Sequence, residues 1–303
     1  MKLFQIMPCR MSSLQSTIDG YEQTKTRLIS FNDLCNLGEN SGIGPAALTE
    51  EPGAHYYIPS IVDITGQNLE TVVNLFYGGI VTIALILGVI GSWKYCETRI
   101  GKFISVLALS ILSFLIAGIS DIYVVKGAST LVLVPWLLYI QKRSYVKWIL
   151  FYCIIAGFVI GFSHSVRSHS GTGVLLFVIF SILFTKKYHK KIKAYCITAL
   201  MIGIIIISLF FGNLTKQRDT YLSKINYKGP KTTQRVFWHN VYLSLGYLYN
   251  YFPSDGWSNF EPSDTYSLSK ALSVNPEVQL YSHEYEDILK TEFIKFAKAH
   301  PLF

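Results

Sequence analysis

The feature that most constrains this chain is a set of five long stretches without Asp, Glu, Lys or Arg. They cover residues 71–93, 103–120, 148–166, 168–185 and 194–215. Each is rich in Ile, Leu, Val and Phe, and a helix of about 20 apolar residues crosses the roughly 30 Å apolar core of a bilayer. Only 15% of the 303 residues are charged, against about 25% in an ordinary soluble domain. These stretches exclude a soluble globule or a disordered chain and predict a multi-pass membrane protein.

The apolar stretches predict an all-α membrane fold with about six transmembrane helices. An extracytoplasmic N-terminal segment with an acidic loop would cover residues 1–68, the transmembrane helix bundle 69–212, and a small extracytoplasmic, aromatic-rich helical region 213–303. In the last region, His283 to Ala299 has its apolar residues on one stripe, which predicts an amphipathic helix. The predicted spans are residues 71–93, 103–120, 127–140, 147–163, 172–185 and 194–212.

Charge is distributed unevenly over the connecting loops. Basic loops follow the first, third and fifth spans, at residues 94–102, 142–147 and 186–193, and loops rich in Lys and Arg stay in the cytoplasm. The N-terminal segment, the loops around residues 121 and 164–171, and the C-terminal region are therefore predicted to lie outside the cell membrane. A net charge of +8 carried by such loops favours contact with membrane lipids and argues against a nucleic-acid partner.

Both ends of the sequence favour a longer parent protein. Residues 1–68 contain no apolar stretch long enough for a leader or a span, although the loop charges place them outside. At the other end, the sequence stops directly after the amphipathic helix. We therefore expect the chain to be a piece of a longer membrane protein.

The first candidate site is the acidic loop that begins Glu50-Glu51-Pro52-Gly53. Two adjacent carboxylates repel each other, which favours a protonated form of one and makes it a usable general base. Their oxygens would equally suit a divalent cation. The alternative is a solvated acidic loop at a Pro-Gly turn.

The second candidate site is the segment from Ser163 to Gly173, between the fourth and fifth spans. It places His164, Arg167 and His169 among several serines at the edge of an apolar span. A guanidinium binds phosphate with two parallel hydrogen bonds, so the segment suits a phosphate or diphosphate. The alternative is an Arg that extends its charge to the membrane surface, with ordinary loop histidines.

Two further sets of candidate site residues lie on the predicted outer side of the membrane. Asp121 is a carboxylate close to the membrane, for which the alternative is a helix cap. Trp238, His239 and Asp264 belong to a region too polar to cross the bilayer and rich in aromatic residues. Those aromatic residues would anchor the region at the interface or form a platform on which a sugar stacks.

These motifs resemble those of GT-C-type polytopic membrane glycosyltransferases, and in particular their bacterial members. The resemblance touches most of residues 45–303 and implies inverting transfer of a sugar from a polyprenyl-phosphate donor to an acceptor at the outer face of the membrane. Where that group commonly has an Asp in its first loop, this sequence has Glu50 and Glu51. The matching motifs are Glu51-Pro52-Gly53-x-x-Tyr56-Tyr57-x-Pro59, Ser120-Asp121-x-Tyr123, the Arg-containing loop, and Trp238-His239-Asn240 with Gly246 and Asp264.

The resemblance also implies a role for each candidate residue. Glu51 or Glu50 would deprotonate the acceptor hydroxyl, assisted by a divalent metal ion held by the same pair, and Asp121 would help to position the acceptor or the metal. The residues implied to bind the lipid phosphate and stabilise it as a leaving group are His164, Arg167 and His169. The residues implied to shape the acceptor side are Trp238, His239 and Asp264.

Two other functions stay open at this point. An O-antigen-ligase-like or glycan-polymerase-like enzyme is also multi-pass and uses Arg and His on a large outer loop, but it does not need the acidic pair. The second is a transporter or a non-catalytic membrane protein, and transport predicts charges or broken helices near mid-membrane. In the predicted spans the only such sign is Pro135.

Overall fold

The computed structural model describes most of the chain and divides it into two compact units, residues 1–227 and 228–303. Apart from one short two-stranded sheet, the regular structure of the described residues is helical, which confirms the predicted all-α class. The described residues are 8–32, 42–46, 51–118, 124–143, 146–167, 170–227, 237–245, 264–278 and 282–300.

The first unit begins with a small N-terminal layer and continues as a bundle of long apolar helices. The layer comprises α1 (Pro8–Thr24), the antiparallel strands β1 (Ile29–Phe31) and β2 (Ile43–Pro45), and α2 (Ala54–Thr65). The bundle comprises α3 (Leu69–Tyr95), α4 (Arg99–Gly118), α5 (Val124–Arg143), α6 (Val146–Val166), α7 (Thr172–Phe184) and α8 (Lys190–Lys224).

Among the described residues, five helices are long and apolar enough to cross a membrane: α3, α4, α5, α6 and α8. These five helices confirm the multi-pass character that the sequence predicts. The predicted span at 172–185 corresponds to α7, which has 13 residues and is about 20 Å long, shorter than the apolar core of a bilayer. The predicted total of six spans therefore stays a prediction.

The peripheral helix α4 shows how the bundle meets its surroundings. Its side chains are mostly exposed, among them Phe103, Phe114 and Leu115. An apolar helix with so little protein around it is expected to contact lipid, because in water such a surface would be strongly unfavourable.

The start of α3 is fixed by a local hydrogen bond. The Asn68 side chain caps this helix by accepting a hydrogen bond from Thr71 N–H at 2.8 Å.

Helices α6 and α8 approach each other closely at their glycines. Gly157 and Gly161 stand one turn apart on α6 and meet α8 around Gly203. A Cβ on Gly157 would overlap the backbone carbonyl of Leu200, so the crossing requires glycine on this side. Small residues four apart allow two membrane helices to approach closely and gain van der Waals contact along their backbones.

The three predicted cytoplasmic loops come together at one end of the bundle, which we call the basic end. It consists of the last turns of α3, α5 and α7 and the first turns of α4, α6 and α8. Lys142 Nζ lies 3.2 Å from Tyr95 O and forms an ion pair with Glu97 at 2.7 Å. Lys187 Nζ lies 2.6 Å from Gln141 O. Lysines of this end therefore donate to backbone carbonyls at helix ends, which are left unsatisfied within the helix.

The opposite end of the bundle, which we call the polar end, carries the N-terminal layer. It is formed by α1, the β-hairpin and α2 together with the start of α3 and the ends of α6 and α8. The span predicted at 194–212 lies within α8. This helix continues beyond the predicted span to Lys224, and its last turns pack against β2. There Arg218, only 1% exposed, pairs with Asp219 at 2.8 Å and donates to Ala46 O at 3.3 Å.

The second unit contains three described helices: α9 (Phe237–Ser244), α10 (Asp264–Val274) and α11 (His283–Ala299). The amphipathic helix predicted at 283–299 is confirmed with the same bounds, and the Ser282 side chain caps it by accepting from Tyr285 N–H at 3.2 Å. Tyr285 and Leu289 are fully buried in a small core with Ala271 and Tyr242. Burial raises the pKa of Tyr242 far above its usual value.

Candidate functional site

The polar end is assembled around one tight contact between α2 and α6. Gly53, directly before α2, donates its N–H to Ser165 O at 2.7 Å near the end of α6. A Cβ on Gly53 would lie 2.7 Å from Ser165 C, which is too close for any side chain. Glycine at this position therefore lets the acidic loop lie directly on the last turn of α6.

This contact brings Glu51 to Arg167, 116 residues away in the sequence. Glu51 is 6% exposed, and Arg167 Nη1 donates to its Oε1 at 2.6 Å. Arg10, on α1, donates to Oε2 of the same carboxylate. We call these three residues the Arg–Glu–Arg cluster. Its two guanidinium groups and one carboxylate give it a formal charge of +1 where the apolar bundle ends.

The Arg–Glu–Arg cluster is stabilised by attraction between the Glu51 carboxylate and the two guanidinium groups. Two guanidinium groups repel each other, and a buried carboxylate is stable only when its charge is paired and hydrogen-bonded. Each oxygen of Glu51 meets one arginine, so the carboxylate fixes both cations at once. Glu51 and Arg167 are candidates from the sequence, but Arg10 is not, because an isolated Arg carries no local sign of its distant partner.

A second polar chain runs from α1 to α2 beside this cluster. Thr17 Oγ1 donates to Ser13 O at 3.0 Å, one turn earlier on α1, and lies 2.8 Å from His55 Nδ1. His55 is 8% exposed and stands one helical turn after Glu51, with its N–H donating to Glu51 O at 3.3 Å. Sequence reasoning also missed His55, although it stands within the predicted acidic-loop motif.

An aromatic layer lines the same end of the bundle. The Tyr57 ring lies 5.1 Å from Phe162 and 5.7 Å from Phe211 between ring centroids, and Tyr56 lies 5.2 Å from Phe210. Burial raises the pKa of Tyr57 despite its hydrogen bond with Ser165, so its hydroxyl stays protonated at neutral pH. Rings that combine an apolar face with a polar tip suit the boundary between lipid and water.

The remaining predicted residues of the first unit are only partly described. His164 lies in the last turn of α6, two residues after Phe162 and three before Arg167. Glu50, Asp121 and His169 lie outside the described residues, so their predicted roles stay predictions.

Trp238 and His239 form part of the core of the second unit. They stand at the start of α9, where both backbone N–H groups donate to the Glu286 carboxylate at 2.7 and 3.0 Å. His239 Nδ1 lies 2.6 Å from Tyr285 Oη, and the His239 side chain is buried. A carboxylate from α11 thus caps α9 and compensates its N-terminal dipole. Asp264 begins α10, and its side chain lies outside the described residues.

The predicted divalent cation stays a prediction, because Glu50, one of its two predicted ligands, lies outside the described residues. Within them, no three His, Cys, Asp or Glu side chains are grouped closely enough to hold a metal ion. Both oxygens of Glu51 accept hydrogen bonds from arginines, and two cations next to the carboxylate oppose a third.

Searches with known protein families, with curated proteins and with solved structures find no match for this chain. The resemblance to GT-C-type glycosyltransferases therefore stays a prediction that depends on the motifs alone.

Proposed function

We propose that the chain is a membrane transferase of the GT-C kind, which binds the phosphate of a polyprenyl-phosphate-linked sugar at its polar end and transfers the sugar to an acceptor. The observation that carries this proposal is the Arg–Glu–Arg cluster, where a buried carboxylate holds two arginines at the end of an apolar bundle. Two cationic side chains at the end of an apolar helix bundle suit a ligand with an anionic head and a long apolar tail.

The cluster supports phosphate binding through its charge and its exposure. Arg10 and Arg167 keep 25% and 23% of their side chains exposed, whereas Glu51 keeps 8%. The exposed surface of the cluster therefore belongs mainly to the two arginine side chains, and a guanidinium group matches the geometry of phosphate oxygens. Near a bilayer the effective dielectric is lower than in water, which strengthens attraction to a phosphate.

The same groups support the departure of the phosphate during transfer. When the bond between the sugar and the phosphate breaks, negative charge grows on the phosphate oxygen. Guanidinium groups already fixed in place by Glu51 stabilise that charge without having to reorganise at the moment of reaction. In this proposal Glu51 holds the two arginines, and the aromatic layer around Tyr57 lies against the first isoprene units of the donor.

We also propose that the polar end faces the outside of the cell and the basic end the cytoplasm. Support comes from the lysines gathered at the basic end and from the positive-inside rule. The N-terminal layer and the C-terminal region would then both be extracytoplasmic. Reporter fusions at His189 and Lys224 test this: a cytoplasmic signal is expected only at His189, and a cytoplasmic signal at Lys224 contradicts it.

Phosphate recognition is tested by binding of farnesyl phosphate to the full chain in lipid nanodiscs, with farnesol as the uncharged comparison. Loss of one charged hydrogen-bond donor costs about 1.5–3 kcal/mol, so Arg167→Gln should weaken farnesyl phosphate binding by about 10–100-fold. Farnesol binding should not change.

Arg27→Gln is the matched control for this test. Arg27 also pairs with a carboxylate, Asp63, at 2.8 Å and has the same 23% side-chain exposure as Arg167. The proposal is wrong if Arg27→Gln and Arg167→Gln weaken binding equally, or if farnesol binds as tightly as farnesyl phosphate.

A further inference from the structure

We propose that Cys153 and Cys196 bind a soft monovalent metal ion, Cu(I), between α6 and α8, and that Tyr188 donates a hydrogen bond to the metal-bound sulfur. We call these three residues the thiol site. It lies towards the basic end, and none of its residues belongs to the Arg–Glu–Arg cluster. The inference therefore goes beyond the proposed transferase function and does not depend on it.

The two cysteines face each other across the α6–α8 crossing. Both helices run from the basic end to the polar end, and Gly157 on α6 meets Leu200 on α8. One turn earlier on each helix, the same pairing brings Cys153 opposite Cys196. The two thiols share a hydrogen bond, and both residues are 0% exposed. Two sulfur atoms are thus held side by side in a dry part of the bundle.

Tyr188 gives the second, independent sign of a ligand. It lies in the connection between α7 and α8 and is 4% exposed. Within the part of the chain that the structure describes, its buried hydroxyl has no hydrogen-bond partner. Burial, and then the neighbouring Cys196 and Cys153, raise the pKa of Tyr188, so the hydroxyl stays protonated. A buried donor without an acceptor is unfavourable, and a thiolate beside it would supply that acceptor.

The number and kind of donors favour Cu(I). Thiolate sulfur is a soft ligand that selects Cu(I), which is stable with two sulfur ligands. Zn²⁺ normally takes at least three protein ligands in a tetrahedral site. Among the described residues, no third His, Cys, Asp or Glu joins the two thiols. A pair of opposed thiols therefore suits a two-coordinate monovalent ion better than a divalent one.

The charge of the occupied site is compensated from the basic end. On binding, two S–H bonds break, two protons pass to water and two bonds from sulfur to Cu(I) form, with no change of oxidation state. Two thiolates and one Cu(I) carry one net negative charge, which an apolar bundle does not tolerate alone. The cysteines lie about two helical turns, roughly 10 Å, from the first residues of α6 and α8. The adjacent segment 186–193 carries five lysines, and their field favours the anionic complex.

The thiol site is tested by Cu(I) binding to the full chain in nanodiscs, under nitrogen and in competition with bicinchoninate. X-ray absorption should show Cu(I) with two sulfur ligands. Cys153→Ala should bind one Cu(I) fewer per chain than the unmodified protein. Cys96→Ala is the matched control, since Cys96 lies at the same end of the bundle but contacts Ser105 Oγ at 3.1 Å, and its change should leave the Cu(I) count unaltered.

Tyr188→Phe tests the site without removing a ligand. It keeps the ring and removes only the hydroxyl, so the chain should fold as before. Loss of a hydrogen bond to a charged sulfur should weaken Cu(I) binding by about 10–100-fold. In the unmodified chain, free Cu(I) at 100-fold above its Kd should raise Tm by about 5–11 °C.

Four results would overturn the inference. They are an equal Cu(I) count for Cys153→Ala and the unmodified chain, unchanged affinity in Tyr188→Phe, no rise of Tm with Cu(I), and displacement of Cu(I) by an equal concentration of Zn²⁺.

Discussion

Replacement of Glu51 by Gln tests whether one buried carboxylate holds the two arginines of the polar end. The change keeps the side-chain shape and removes the charge between Arg10 and Arg167. Because these arginines are 25% and 23% exposed, each ion pair should be worth more than an exposed pair and less than a buried one. A value of about 1.5 kcal/mol for each pair, between about 0–1 for exposed and 3–5 for buried pairs, gives a loss of about 3 kcal/mol.

The assay is thermal unfolding of the full chain in nanodiscs. For a unit of this size, about 1 kcal/mol corresponds to a shift in Tm of about 2–4 °C, so Glu51→Gln should lower Tm by about 6–12 °C. Asp63→Asn is the matched control, because it breaks the Arg27–Asp63 pair in the same layer. The Asp63 side chain is 49% exposed, and its change should cost about 1 kcal/mol or less.

An equal fall in Tm for Glu51→Gln and Asp63→Asn would show that the Glu51 carboxylate does not hold the two arginines. A double-mutant cycle of Glu51→Gln with Arg167→Gln gives a second check. Residues that share an ion pair should show a coupling of about 0.5–3 kcal/mol, and strict additivity would contradict the contact.

Three further substitutions test other parts of the structure. Gly157→Val should place a side chain against Leu200 O, cost at least about 1–3 kcal/mol through overpacking and lower Tm; an unchanged Tm would contradict the close helix crossing. Glu286→Gln should weaken the cap of α9 by about 0.5–2 kcal/mol and increase hydrogen exchange of the His239 amide, whereas unchanged exchange would contradict the contact. Ion pairs with two lysines lower the pKa of Glu292, so its stabilising effect is present at neutral pH and is lost as the pH falls through that lowered value. The Tm difference between the unmodified chain and Glu292→Gln should therefore shrink on acidification. A Tm difference that grows on acidification would contradict the stabilising ion pairs of Glu292.

Local features of this protein could be predicted from the sequence because their causes lie within one helix. The stripe of apolar residues at 283–299 and the uncharged stretches at 71–93 and 103–120 each correspond to a helix. The gathering of basic loops at one end also follows from the alternation of spans and charges. By contrast, hydrophobicity predicts the bounds of α7 but not whether it crosses the bilayer, because its 13 residues are shorter than the apolar core.

The candidate site could be predicted only in part. Glu51 and Arg167 were selected from their residue types and from the charge rule, and the structure brings them together. Arg10 and Thr17 could not be found in this way, because their importance comes from contacts across 41 and 38 residues. The same is true of Glu286, which looks like an ordinary acidic residue in the first turn of α11 until its contact with α9 is seen.

Phosphate binding at the polar end is tested by finding where a phosphate-headed isoprenoid contacts the chain. Farnesyl phosphate carrying a diazirine next to its phosphate can be photo-crosslinked to the full chain in nanodiscs, and the modified peptides can be identified by mass spectrometry. We predict crosslinks in α1, in α2 and in the last turns of α6, and we expect Arg167→Gln to reduce them and Arg27→Gln to leave them unchanged. Crosslinks confined to the basic end, around residues 186–193, would contradict it.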